Sequence, residues 1–365
     1  MIYFFVFAIS SIVFGIGIKY KEIRLLCVSV AVLVLSLFAG FRDFSIGTDI
    51  QIYGLYVFEG VQDYSSIIDL IVNNNMTIEI GYAIIAYISA QIYNNPHFFF
   101  FMVGLINYSS IAYAICKYEY DINPTMAWIF FLFLFFSDTF NIMRQTLSLA
   151  MFLVGVNYVN QKKYIQLIVC SGIAFLFHRT AVIGITIYVV YYYMCKSKGS
   201  SLKPILIFSC IAFMITVIIP YLYPILIKVG VLPEVYKRYL GASTLGLSIK
   251  SVLIRIIPLA IILFYEKKLK KQKDFRFLLF MLIIDILLCN LATLNVTFER
   301  IGLWFGYFRI FAYSKLLTKS VVKGRDNRFV MLIILLVYCI VIFYYQIIIK
   351  GGNQIYPYTS NILGL

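Results

Sequence analysis

The fold is decided by residues 25–53, LLCVSVAVLVLSLFAGFRDFSIGTDIQIY, in which a continuous apolar run ends directly in a dense polar cluster. The apolar part, residues 25–41, is close to the roughly 20 residues that a helix needs to cross a bilayer. Similar runs recur along the whole chain. Because they are continuous and do not alternate with polar residues, they predict membrane-spanning helices and exclude membrane-spanning strands.

The composition supports the same fold class. The chain has 365 residues, of which 62% are hydrophobic and only 13% are charged, whereas about 25% of the residues of a soluble domain are charged. We therefore expect an all-α, polytopic integral membrane helix bundle that forms a single multi-span domain over residues 1–365. About twelve spans of near-bilayer length are expected, at 1–18, 25–41, 97–116, 124–138, 143–159, 164–178, 180–194, 204–228, 251–265, 277–297, 301–317 and 329–349.

A shorter apolar segment, residues 80–93, breaks the series of spans. If this segment crossed the bilayer, the basic residues after the first span and those after residue 159 would fall on opposite sides. If it is a re-entrant or interfacial helix, both basic loops are cytoplasmic, as the positive-inside rule requires. We therefore predict a re-entrant or interfacial helix, external termini, and main external loops at residues 42–79 and 229–250.

The formal charge of +15 has the same explanation. Lysines are concentrated in short loops between the apolar runs, as in Glu266-Lys-Lys-Leu-Lys-Lys-Gln-Lys273. This pattern is a signature of membrane topology, so it does not indicate a nucleic-acid partner. The seven cysteines form no CxxC pair, and neither a metal-ligand set nor a phosphate-cradling glycine loop is present.

Arginines and acids are distributed differently from the lysines. With this topology a set of arginines, acids and one histidine falls at the outer face, where arginines act against the positive-inside bias and need another reason to be present. An anionic ligand is one reason, because the planar guanidinium binds phosphate oxygens through two donors and keeps its charge. Local pairing with an acid is the alternative. The candidate residues are Arg42, Asp43, Asp49, Glu79, Arg144, His178, Arg179, Arg238, Glu299 and Arg300.

Three of these residues are candidates for proton transfer. His178 exchanges a proton near neutral pH, and Glu79 and Asp49 are carboxylates at the predicted interface. The alternative for His178 is a hydrogen-bonded interfacial role, and that for Gly47-Thr48-Asp49 is an ordinary turn. Asp285 lies in the middle of an apolar run, where a charge is expensive, and we expect it to be paired in a structural role.

Four motifs stand out before residue 185, namely Phe41-Arg42-Asp43 with Ser45-Ile-Gly-Thr-Asp49 and Tyr53, Glu79-x-Gly81-Tyr82, Asn141-Ile-Met-Arg144-Gln145, and Phe177-His178-Arg179-Thr180. In their order and spacing they resemble the EpsG-like branch of Wzy-type polysaccharide polymerases. The second half of the chain has no comparable motif. The usual small residue and serine after the histidine are replaced by Arg179 and Thr180, which leaves the role of Arg179 open.

The resemblance implies a glycosyltransferase of O-antigen or exopolysaccharide biosynthesis in the bacterial inner membrane. Such a polymerase joins oligosaccharide repeat units that are linked to undecaprenyl diphosphate, without a cofactor or metal. Arg144 and Arg179, with Arg42 or Arg300 in support, would bind the diphosphate, and His178, Glu79 or Asp49 would be the base.

The partners that the resemblance implies are the lipid-linked oligosaccharide, membrane lipid, a flippase and a chain-length regulator. A flippase or other transporter of lipid-linked oligosaccharides remains as an alternative function, as does an O-antigen ligase-like glycosyltransferase. A transporter would be expected to show a repeat between its halves and charges near the midplane, and the sequence shows no such repeat.

Overall fold

The computed structural model describes residues 2–73, 78–196, 225, 228–229, 249–292 and 296–365. Two compact units are formed, one by residues 1–188 with 324–365 and the other by residues 189–323; we call them unit 1 and unit 2. Arg238, most of the predicted span 204–228 and most of the predicted loop 229–250 lie outside the described residues.

The regular structure of the described residues is entirely helical. Short 3-10 or π turns connect or extend several of the helices, for example at Phe136–Phe140 and Tyr344–Ile349. The α-helices are α1 Ile2–Lys19, α2 Arg24–Gly40, α3 Tyr56–Gly60, α4 Ile67–Asn73, α5 Ile80–Ile92, α6 Pro96–Lys117, α7 Pro124–Phe135, α8 Met143–Val159, α9 Tyr164–Phe177, α10 Val182–Lys196, α11 Ile249–Phe264, α12 Glu266–Leu269, α13 Phe275–Leu291, α14 Val296–Gly306, α15 Arg309–Ser314 and α16 Arg325–Phe343.

Helices of membrane-spanning length confirm the predicted fold class. Four helices in the described part of the chain are long and apolar enough to cross a membrane, namely Ile2–Lys19, Lys21–Gly40, Pro96–Lys117 and Arg325–Ile349. The other apolar helices found by the same criteria are shorter: Ile80–Ile92, Pro124–Phe140, Tyr164–Phe177 and Val252–Phe264. The expected count of about twelve spans therefore stays a prediction.

Close helix crossings in unit 1 depend on small side chains. Helix α2 packs against α1 and α6, and α8 packs against α6 and α9. At the α2–α6 crossing, a Cβ on Gly104 would lie 3.3 Å from Cβ of Ala39, so both positions keep the backbones close, as is common between membrane helices. Where α1 packs against α7, the rings of Phe14 and Trp128 stack at 4.8 Å.

Helix α5 begins and ends at the same end of unit 1. Near its start, Tyr82 Oη donates to Sδ of Met143, the first residue of α8, over 3.5 Å. Just after its end, the imidazole Nδ1 of His97 hydrogen bonds to O of Gly40, the last residue of α2, over 2.7 Å. We call this region, which contains Gly40, His97 and Met143, the site end of unit 1. Both ends of α5 therefore lie near one end of unit 1, and its predicted re-entrant or interfacial position stays a prediction.

Asp285 in unit 2 is paired, as predicted from its position in an apolar run. Its Oδ2 accepts from Nε of Arg255 at 3.1 Å and lies 3.3 Å from Nε of Arg309. The carboxyl is almost fully buried, with 3% of its side chain exposed. Spacing does not identify these partners, because they lie on α11 and α15, on either side of the α13 helix in the chain order.

We expect replacement of Asp285 by alanine to destabilise the protein severely. The change would leave two largely buried guanidinium groups without this carboxylate, and breaking a buried ion pair costs about 3–5 kcal/mol. The measurement is the thermal unfolding midpoint in detergent. The control is Asp326→Ala, at an exposed position in the first turn of α16, which should cost under about 1 kcal/mol. Equal midpoints for the two variants would contradict this assignment.

Candidate active site

The motifs found in the sequence meet around the first turn of α8. Arg144 is the second residue of this helix, and its Nη1 donates to Oε2 of Glu79, which precedes α5. The two side chains are partly shielded, with 16% of Arg144 and 11% of Glu79 exposed. The carboxylate of Glu79 also sits at the N-terminus of α5, where the helix dipole favours a negative charge.

Tyr53 covers one face of Arg144. The guanidinium carbon lies 4.1 Å from the centre of the tyrosine ring, and such a cation–π contact contributes about 0.5–1 kcal/mol at exposed sites and more in drier ones. Tyr53 is held in place through its backbone, because its N–H donates to O of Asp49 at 2.8 Å. Arg144 is therefore a partly shielded cation with its orientation fixed by a ring and a carboxylate.

Met143, the residue before Arg144, is an anchor point for α8. Its Sδ accepts a hydrogen bond from Tyr82 Oη at 3.5 Å and another from Arg42 Nη2 at 3.6 Å. Sulfur is a weak acceptor, so these contacts fix position more than they add stability. Together they tie the first turn of α8 to α5 and to the end of α2.

Arg42 is buried behind this anchor, with 1% of its surface exposed. Its Nη1 donates to O of Ala39 at 2.8 Å, and its guanidinium lies over the rings of Phe100 and Phe140 at 4.8 and 4.2 Å. The predicted contact between Arg42 and a diphosphate stays a prediction. In this structure the side chain contacts protein groups and supports Met143.

Asn141 joins three separate segments. Its Oδ1 accepts from the backbone N–H of Thr48 at 2.5 Å, and its Nδ2 donates to O of Asn353 at 2.8 Å. The side chain of Asn353 in turn donates to Oδ1 of Asp138 at 2.9 Å. The turn before α8, the loop after α2 and the C-terminal segment are thus fastened together by one amide side chain.

Gly47 is required by this arrangement. Its φ of +101° is rarely adopted by other residues. A Cβ at this position would also lie 2.8 Å from Oδ1 of Asn141 and 3.0 Å from O of Phe140. The turn predicted at Gly47 is therefore present, and it brings the loop into contact with the residues that precede α8.

The C-terminal segment supports the same loop through its backbone. Asp43 N donates to O of Thr359 at 3.0 Å, and Gly47 N donates to O of Gln354 at 3.1 Å. The carboxylate of Asp43 accepts from the N–H of Asn361, which is 318 residues further along the chain, at 2.8 Å. Sequence motifs could not predict these contacts, because partners so far apart share no local pattern.

Gly81 brings α5 against the end of α9. A Cβ on Gly81 would lie 2.8 Å from O of Leu176, so only glycine allows this approach. His178, directly after α9, is half-buried, and its Nδ1 contacts Thr180 Oγ1 at 2.7 Å and accepts from Thr180 N at 3.3 Å. Acceptance at Nδ1 places the proton of a neutral imidazole on Nε2.

The remaining predicted site residues are less closely connected. Asp49 is half-buried, and its Oδ1 lies 3.4 Å from the hydroxyl of Thr48. Arg179 is exposed next to His178, and Arg300 is exposed on α14 of unit 2. Direct contact between two predicted site residues is shown for Glu79 and Arg144. In the described part of the chain, no group of three or more His, Cys, Asp or Glu residues is arranged to hold a metal ion.

Comparison with known proteins identifies a family. The model of the EpsG family matches residues 25–360, which include all four motifs and Asn353. The match confirms the resemblance seen in the motifs. No curated protein and no solved structure matches the chain significantly.

A matched pair of glycine substitutions tests the packing around α8. Gly47→Ala should destabilise the protein by at least about 1–2 kcal/mol, the cost of left-handed backbone for other residues, because the new Cβ also meets Asn141. Gly172→Ala is the control, since Gly172 lies in α9 with no atom near a Cβ, and it should be neutral or stabilising by up to about 1 kcal/mol. Thermal unfolding in detergent gives both values. Equal effects would contradict the tight contact at Gly47.

Proposed function

The chain belongs to the EpsG family, and from this premise we propose that it polymerises oligosaccharide repeat units carried on undecaprenyl diphosphate. The family indicates a membrane polymerase of polysaccharide biosynthesis. The finer proposal locates the reaction at the outer face of the bacterial inner membrane. The observation that carries it is the Arg144–Glu79 pair under Tyr53, which combines a phosphate ligand with a carboxylate base.

The reaction needs one group that stabilises the leaving diphosphate and another that accepts a proton. The bond between the anomeric carbon of the growing chain and its diphosphate breaks, and a new bond forms from that carbon to a hydroxyl oxygen of the incoming repeat unit. Undecaprenyl diphosphate leaves with the electron pair, and the hydroxyl proton passes to a base. The site must therefore stabilise negative charge on the diphosphate and accept a proton from the acceptor sugar.

Arg144 is suited to stabilise the negative charge on the diphosphate. A guanidinium has five N–H donors in a planar fork that matches phosphate oxygens, and the contact with Glu79 uses Nη1. Tyr53 and the anchor at Met143 hold the group before substrate arrives. A donor that is already oriented stabilises the developing charge without a reorganisation cost. Arg179, exposed beside His178, is our second candidate for a diphosphate ligand, and the role of Arg300 stays a prediction.

Glu79 is suited to accept the proton of the acceptor hydroxyl, and we favour it as the base over Asp49 and His178. A diphosphate that binds Arg144 competes with Glu79 for the same guanidinium. A carboxylate that loses a cationic partner becomes a stronger base, so substrate binding would release the base at the moment it is needed. His178 is less suited in this state, because Nδ1 accepts from Thr180 N.

The proposal includes partner proteins. A flippase would deliver the lipid-linked repeat units to the outer face, and a chain-length regulator would set the length of the polymer. If the protein were a transporter or a ligase, no repeat units would reach the cell surface in its absence. If it is a polymerase, single repeat units would still be displayed.

Deletion and complementation of the gene test the function. We expect the deletion strain to display single repeat units, the wild-type protein to restore the long-chain ladder on a gel, and Arg144→Ala to fail. Loss of one donor of this kind reduces turnover by about 100- to 1,000-fold. The control is Arg325→Ala, an exposed arginine at the start of α16, which should restore the ladder fully.

Two results would contradict the proposal. The first is a normal ladder from Arg144→Ala at the wild-type level of protein. The second is a deletion strain without any displayed repeat unit, which would favour a transporter or a ligase.

A further inference from the structure

Helix α4, in the segment predicted to be an external loop, has an unusual apolar face. Ile67, Ile68, Ile71 and Val72 are 38%, 74%, 53% and 73% exposed. At helical spacing these four side chains occupy one arc of about 140°. Leu70, which points away from this arc, is fully buried in the core of unit 1. The apolar face is therefore directed away from the protein by a helix that is itself well anchored.

The opposite side of α4 is polar and ordered. Asp69 Oδ2 accepts from Ser65 N at 2.9 Å and Ser65 Oγ at 3.0 Å, and Asn73 Nδ2 donates to Asp69 Oδ1 at 2.7 Å. The backbone N–H of Asp69 donates to Ser66 Oγ at 3.1 Å. These bonds form a reciprocal N-terminal cap, and those from Asn73 and Ser65 lower the pKa of Asp69. The helix thus separates a charged side from an apolar side.

The position of α4 indicates what covers the apolar face. The helix packs against α5, which begins and ends at the site end of unit 1, where the candidate span α2 also ends. Its exposed isoleucines resemble the residues that candidate spans present outward, such as Phe5 at 66% and Leu25 at 82%. The exposed face of α4 therefore has the same apolar character as the outward faces of the candidate spans, and it lies at the end of unit 1 where α2 ends.

Charge argues against attraction to an acidic partner. Residues 44–79 contain five acids and neither lysine nor arginine. An amphipathic helix without basic residues binds a membrane through buried apolar area and gains nothing from anionic headgroups. The acyl chains of the bilayer are thus the occupant that fits this face best.

We propose that α4 lies in the interfacial region of the leaflet at the site end, with Ile67, Ile68, Ile71 and Val72 inserted among the lipid acyl chains. Leu70 belongs to the same buried cluster as Ile78, Tyr82 and Met143, so the inserted helix is packed onto the core that holds Glu79 and Arg144. If the proposed function is right, this anchor keeps the pair at the depth of lipid phosphates, where the diphosphate of a polyprenyl carrier lies.

Tryptophan fluorescence tests the insertion directly. The chain has two tryptophans, Trp128 and Trp304, and both are fully buried. The quenchers should therefore act mainly on the fluorescence of an added tryptophan. The full-length protein is reconstituted in phosphatidylcholine vesicles with or without bromine on the acyl chains. We expect Ile68→Trp to lose most of its added emission in brominated vesicles and to resist aqueous iodide. The control is Asp63→Trp, at an exposed acid of the same segment, which should respond in the opposite way.

Two outcomes would overturn the proposal. Quenching of Ile68→Trp by iodide but not by bromine would place α4 in water. Protection from both quenchers would mean that a protein surface, such as a second copy of the chain, covers the face. Because the readout needs neither substrate nor turnover, its failure is distinguishable from failure of the proposed polymerase function.

Discussion

A partly shielded arginine at the start of a helix needs a negative partner, and the architecture of unit 1 provides one. Arg144 meets Glu79 because α5 lies across the site end, with its N-terminus directed at the first turn of α8. Gly81 permits this placement by letting α5 touch the backbone of α9. The three named residues of the motif Glu79-x-Gly81-Tyr82 thus have separate physical roles, which are charge pairing, close approach and the bond to Met143.

The pair also depends on contacts far away in the sequence. Asn141 fastens the loop after α2 and the segment at Asn353 to the turn that precedes α8. Asn353 adopts a φ of +60°, a conformation that asparagine tolerates better than most residues. The orientation of Arg144 is therefore determined jointly by segments from the beginning, middle and end of the chain.

Much of the fold can be predicted from the sequence, because apolar runs determine where membrane helices form. The predicted span 97–116 corresponds closely to Pro96–Lys117. The predicted span 301–317 is broken, since α14 ends at Gly306, whose carbonyl accepts from Nε of Arg309 at 3.0 Å. Hydropathy averages over a window and therefore misses a helix end within an apolar run.

The candidate site is predictable only where its residues form local motifs. The motifs identify Glu79 and Arg144 but not their contact, because pairing between distant residues leaves no trace in spacing. The sequence also does not reveal that Arg42 is buried, because its aromatic neighbours Phe100 and Phe140 lie on other elements.

The proposed mechanism depends on one competition, in which the diphosphate displaces Glu79 from Arg144. The most direct measurement is the dissociation constant of undecaprenyl diphosphate for the purified wild-type protein and for Glu79→Gln, which removes the competing charge and keeps the shape. We predict tighter binding by Glu79→Gln together with loss of polymerisation. Unchanged or weaker binding by this variant would contradict the competition between the two anions.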